Sequence, residues 1–126
     1  MHRLVNNGMP RGKAPISNTV NADGHIYSVQ IPRDPTTSLP SGEGHIQEQT
    51  HRVLRQLKKS MEAADGTLAD VAQIVIYLVN SSDAPGMNEV YGQYFTQEPY
   101  PNRATVVVKE LLGEGHLIEI VAHGHV

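Results

Sequence analysis

Residues Val71–Val79 would carry apolar side chains on both faces of any strand they form. Side chains alternate along a strand, so Ala72, Ile74, Ile76 and Leu78 would line one face and Val71, Val75, Tyr77 and Val79 the other. Arg103–Lys109 repeats the feature, with Val106, Val107 and Val108 in succession. Strands of this kind belong to a sheet covered on both sides. The chain offers two helices to do the covering. In the first, Ile46, Thr50, Val53, Leu54, Leu57, Met61 and Ala64 recur at three- and four-residue spacing, and Gly66 is expected to end it. The second runs from about Asp83 to Phe95, with Pro85 tolerated in its first turn. Two helices cover one face. An apolar face left in water would be a large exposed patch, which soluble monomers avoid, so a second copy of the chain is the expected cover.

The remaining elements are shorter. Met1–Asn7 reads as a first strand and Gly8–Pro15 as a loop. Val20 and Ile26–Ile31 form a hairpin turning at Asn21-Ala22-Asp23-Gly24, because Asp-Gly supplies the positive φ of a tight turn. Pro32, Pro35 and Pro40 mark an irregular connection, and Arg103–Lys109 and His116–His123 are expected to close the chain as a hairpin around Leu112–Gly115. The order β-β-β-α-β-α-β-β is that of an α+β sandwich with two helices on one sheet. A chain of 126 residues is expected to form one domain, residues 1–126.

Composition removes several classes of function. Cysteine is absent, which excludes thiolate chemistry and thiolate metal sites. No apolar run is long enough to cross a bilayer and Met1–Arg11 has no signal-peptide core, so a cytoplasmic protein without a membrane partner is expected. Net charge is -3. Arg52, Arg55, Lys58 and Lys59 share one helix and read as a solvated face, with no nucleic-acid partner expected. His123 and His125 share a strand face without a recognisable third ligand, and His45 and His51 do not share a helix face, so no metal set is expected.

Two charged residues sit where the pattern calls for apolar ones. Arg103 opens a strand after Pro101-Asn102, and Glu119 is embedded in Leu117-Ile118-Glu119-Ile120-Val121. A carboxylate among apolar strand neighbours is costly unless solvated, paired or used. Either both point outward on an edge hairpin as a weak cross-strand ion pair, or they carry chemistry.

The stretch Pro101-Asn102-Arg103-Ala104-Thr105-Val106, followed by Leu117-Ile118-Glu119-Ile120, resembles the RidA/YjgF family, also known as endoribonuclease L-PSP. Gln30-Ile31-Pro32, Thr67-Leu68-Ala69-Asp70-Val71 and Met87-Asn88-Glu89-Val90-Tyr91 extend the resemblance from about Ala14 to His123. It implies a chorismate-mutase-like fold assembled as a homotrimer, with sites at the subunit clefts. It also implies a cofactor-free enzyme that hydrolyses small 2-imino or 2-enamino acids to 2-keto acids and ammonia. By the same resemblance Arg103 would grip the substrate carboxylate and Glu119 would activate water, with Asn88, Ser28, the adjacent backbone at Val29 and Thr105 lining the pocket. Three positions depart from the family pattern: Ile16 stands where a tyrosine is common, Val29 where glycine is common, and Thr105 where cysteine is frequent. These departures bear on the substrate. A relative specialised for another amine-bearing metabolite, such as 2-aminomuconate, is one alternative; a non-catalytic module that binds a small carboxylate is another. The ribonuclease label of some relatives finds little support in an acidic chain with few aromatic residues.

Overall fold

The structure, a computed structural model, describes residues 1–126. Its elements are β1 (Arg3–Leu4), β2 (Thr19–Ala22), β3 (His25–Gln30), α1 (Ile46–Ala63), β4 (Val71–Leu78), α2 (Ala84–Tyr94), β5 (Asn102–Val107) and β6 (Ile118–His125). Short 3₁₀ turns at Leu68–Asp70 and Ser81–Asp83 introduce β4 and α2. The β2–β3 turn forms at Asp23-Gly24, both with positive φ, as read from the sequence.

α1 turns out of the helix one residue before the expected Gly66. Its left-handed residue is Asp65 (φ 64) rather than Gly66. The Asp65 amide donates to the Glu62 carbonyl and the Gly66 amide to that of Met61, a Schellman closure. Gly66 is small for a different reason: a Cβ there would meet Val126 Cγ1 at 2.5 Å.

The six strands form one mixed sheet in the order β1-β2-β3-β6-β4-β5. The expected closing hairpin is not formed. β5 pairs only with β4, in parallel, while β6 runs antiparallel between β3 and β4. Burial explains the exchange. β6 presents Ile118, Ile120 and Ala122, all buried, and takes the centre; every residue of β5 is exposed, and it takes the edge. Both helices lie on one side, α1 over β3 and β6 with α2 against α1. They enclose a core of Ile26, Leu54, Leu57, Met61, Ile74, Ile76, Leu78, Met87, Ile118 and Ile120.

The strand faces follow the expected alternation except at the start of β4. A bulge between Val71 and Gln73 shifts the register against β6, which buries Val71 with Ile74 and turns Ala72 outward. One extra residue reverses the parity of everything before it.

Two polar groups brace this frame. Asn7, Thr19, Ser28, Gln30 and Ser60 form a buried hydrogen-bonded network between β2, β3 and α1. Gln49, fully buried on α1, donates to the carbonyls of Gly42, Gly44 and Gly115 and accepts from the Leu117 amide. It ties the β3–α1 connection to the loop before β6.

Candidate functional site

The side of the sheet away from the helices is open. Tyr27 and Val29 of β3, Val75 and Tyr77 of β4, and Glu119, Val121 and His123 of β6 stand on it, exposed or half-buried. Tyr27 and Val29 are the most exposed of its large apolar residues. At its far end His123 does have a histidine neighbour that spacing could not reveal: its Nδ1 lies 3.2 Å from His25 Nε2, brought there by the β3–β6 register.

Glu119 is in a central strand, not on an edge hairpin. Ile118 and Ile120 on either side point into the core, so Glu119 points out onto the open face. Tyr77 lies directly across from it. Val29, which pairs with Val121, is its diagonal neighbour across the other strand boundary. Burial among these groups pushes the Glu119 carboxyl above the ordinary carboxylate range, because desolvation disfavours the charged form. No cation lies within ion-pair distance to oppose this.

Arg103 is on the other side of the sheet. In the parallel β4–β5 register it stands beside Ile74, whose side chain faces the helices, and Thr105 stands beside Ile76. Both are exposed because β5 is the edge strand. The Arg103 guanidinium carbon sits 4.6 Å from the centre of the Tyr91 ring on α2, a cation–π contact that orients the fork and leaves its N–H edge free for an anion. Tyr91 itself stacks on Phe95. Its hydroxyl is buried with no hydrogen-bond partner, and desolvation pushes its pKa up against the opposing pull of Arg103. Asn88 is exposed one helical turn before Tyr91 and so shares its side of α2.

The expected residues therefore fall into two groups. Arg103, Thr105 and Asn88 gather at the β5–α2 edge, while Glu119 and Val29 belong to the open face. The expected Arg103–Glu119 ion pair does not form. Glu119 is level with Val106 through Tyr77. Arg103 thus lies two strands across and three residues along, about 14 Å away between Cα atoms by standard sheet spacings, with its side chain on the opposite face. Ser28 joins neither group: its hydroxyl lies in the buried network, bonded to Thr19 Oγ1 and Gln30 Nε2, each at 2.9 Å. Tyr77 and Tyr91 were not singled out as functional from the sequence. Tyr91 ends the quoted motif around Asn88, and its role is visible only once β5 is placed beside α2.

The largest cavity, about 310 Å³, is elsewhere, between the N-terminal segment and the β3–α1 connection; Ile16, Ile31 and Arg33 are among its lining. It contains neither Arg103 nor Glu119.

Known proteins match the chain along most of its length. The sequence profile described as Endoribonuclease L-PSP matches residues 9–126. A RutC family protein of Saccharolobus solfataricus is 41% identical over 103 residues, 81% of this chain and 80% of that one. The 3-aminoacrylate deaminase RutC of Acinetobacter baylyi is 34% identical over 124 residues, 98% and 96% of the two chains. A 2-iminobutanoate/2-iminopropanoate deaminase of Dermatophagoides farinae is 31% identical over 103 residues, 81% and 79%. Among solved structures, the Rid family protein YyfA of Yersinia pestis superposes with a TM-score of 0.89 at 27% identity over the whole of both chains.

Proposed function

The chain belongs to the endoribonuclease L-PSP (Rid) family, and from that premise we propose that it hydrolyses small 2-imino or 2-enamino acids to 2-keto acids and ammonia, in sites completed between copies of a homotrimer. The observation that carries this reading is the division of the two key residues between opposite sides of the sheet. A substrate carboxylate and the adjacent C2 are one bond apart, so one chain cannot offer Arg103 to the first and Glu119 to the second. Two copies can, if the open face of one receives the β5–α2 edge of the next. The same packing covers the open apolar face.

In such a site the Arg103 fork takes the substrate carboxylate in two parallel charge-assisted bonds. Asn88 and Thr105 border it. Glu119, from the neighbouring copy, holds a water against C2. As the water oxygen bonds to C2, the C=N π pair moves to nitrogen and Glu119 takes a proton from the water. That proton passes to nitrogen, giving an amino alcohol at C2; Glu119 then takes the hydroxyl proton as the carbonyl forms and the C–N bond breaks, and this second proton leaves with nitrogen as ammonia. Atoms balance as imine plus water giving ketone plus ammonia. A carboxyl group whose pKa is raised by burial suits this exchange, because it is a stronger base toward the water than a solvated carboxylate and can still return the proton to nitrogen.

Val29 and Tyr77 flank Glu119 and would shape the pocket around the substrate side chain. The valine favours a substrate set altered from that of relatives with glycine at this position. The reading requires no cofactor, metal or nucleic acid; no helix is long and apolar enough to cross a membrane.

The test is ammonia release from imines generated in solution by an amino-acid oxidase. Glu119→Gln should lower turnover by about 10²–10⁴-fold while keto-acid binding persists. Normal turnover in that variant would assign the water to another group, and keto-acid binding with no ammonia release by the wild-type protein would leave a carboxylate-binding module as the better account.

A further inference from the structure

The positive residues of α1, which read from sequence as a solvated face, are organised in the fold. Arg52, Arg55 and Lys59 lie on the flank of the helix that faces the β3–α1 connection, where Arg33 reaches toward them. Together with Asp34, Ser38 and Gln56 they border a cavity of about 170 Å³, lined mainly by polar and charged residues with Met9 and Pro35 among its walls. Lys58 points elsewhere and takes no part.

The charge in this pocket is uncompensated. Four cations face one carboxylate in a chain whose net charge is -3. The Asp34 carboxylate is turned to its own loop, where Oδ1 accepts from the amides of Thr36 at 2.8 Å and Thr37 at 2.9 Å. Arg52 donates to the Glu43 carbonyl at 2.7 Å and reaches Glu48 only at 4.0 Å. Arg33, Arg55 and Lys59 form no ion pair. Arg33 is also held rigidly. Its Nη1 donates to the Ser38 carbonyl at 2.8 Å while Nε is buried without a partner, so a desolvated guanidinium stands in the wall with no counter-charge. Like charges gathered this way repel one another and destabilise the free protein; an anion in the cavity would reverse the sign of each interaction.

We propose that this pocket binds a small polyanion carrying two or more phosphoryl groups, gripped by Arg33, Arg55 and Lys59 with Arg52 behind them. Three guanidinium forks and an ammonium exceed what a monocarboxylate can use and suit the several oxygens of a diphosphate. The cavity is small beside typical organic-ligand pockets, and Met9 and Pro35 are the apolar residues of a lining otherwise polar or charged. It is also concave rather than a stripe, which favours a compact ligand over a nucleic-acid backbone. Its place beside β3 and the N-terminal segment is far across the sheet from the Arg103 edge, so it is separate from the deaminase site.

Calorimetry with pyrophosphate as the probe, on the full-length protein at fixed ionic strength, tests the assignment. We expect one pyrophosphate per chain, with sulfate at least about tenfold weaker because it carries a single anionic centre. Arg55→Gln combined with Lys59→Gln should weaken pyrophosphate by about tenfold or more. Both positions are exposed and losing two like charges relieves repulsion, so the melting temperature should hold or rise and ammonia release should stay unchanged. Absence of binding at millimolar pyrophosphate, or equal affinity in the double variant, would overturn the proposal. So would a single-stranded RNA whose affinity grows with length and which pyrophosphate fails to displace.

Discussion

Mixing two inactive variants distinguishes a shared site from one built within a single chain. Under the proposed function Arg103→Ala would remove the carboxylate clamp and leave Glu119, and Glu119→Gln would remove the base and leave Arg103. The separation worked out above, about 14 Å between Cα atoms with side chains on opposite faces, is too great for one substrate to bridge when reacting atoms must approach to ~3–3.5 Å. Each working site must then draw Arg103 from one copy and Glu119 from another. In a randomly mixed oligomer with equal amounts of the two variants, an intact Arg103 occurs with probability one half, and an intact Glu119 on the facing copy with the same probability. About one quarter of the sites should therefore regain both groups, whatever the number of copies in the closed ring. The variants are purified under different tags, unfolded together, refolded, and assayed for ammonia release against each variant treated alone. Activity should rise from the background of either parent to about one quarter of wild type. It should follow a parabola as the mixing ratio is varied. Mixed oligomers that show no more activity than the parents would refute the division of the site, and with it the reading of the open face as the receiving surface.

Glu119 also links function to stability. Its folded-state pKa is raised by burial, so the folded protein is penalised once the carboxyl ionises. The penalty is absent below the unfolded-state value, about 4.3 for a free glutamate, grows as pH rises toward the folded value, and is complete above it. Glu119→Gln should accordingly melt higher than wild type at neutral pH and equally at pH 4 or below; a difference of constant size across that range would contradict the assignment. Val29 is 40% exposed on the open face, so Val29→Gly should leave the core packing intact and change the ratio of activities on 2-iminobutanoate and 2-iminopropanoate. A large drop in melting temperature with an unaltered ratio would mean that Val29 is structural. Gln49→Leu removes the side-chain partner of three carbonyls and one amide at a partly buried junction. A loss of about 1–3 kcal/mol is expected by chemical denaturation, and no measurable loss would show that water and the loops satisfy these groups without Gln49.

Much of the architecture is local and so legible in the chain itself. The apolar spacing of α1, the Asp23-Gly24 turn and the doubly apolar Val71–Val79 strand each follow from residues a few positions apart. Together they require two helices on one side of a sheet and something further on the other. Arg103 and Glu119 were conspicuous for the same reason, as charges interrupting apolar strands. What only the tertiary structure decided depends on pairings between distant segments. β6 inserts between β3 and β4 because its buried residues need the centre, whereas proximity in sequence had suggested a hairpin with β5. The bulge at Val71/Gln73 reverses which face Val71 and Ala72 occupy, and no alternation rule announces a bulge. Whether Arg103 and Glu119 face each other is a question of strand parity across two strand boundaries, one of them parallel. Their assignment to opposite faces was therefore invisible until the register was known. The Arg33–Arg55–Lys59 pocket has the same origin: helical spacing aligns Arg55 with Lys59, but only the path of the irregular connection brings Arg33 to meet them.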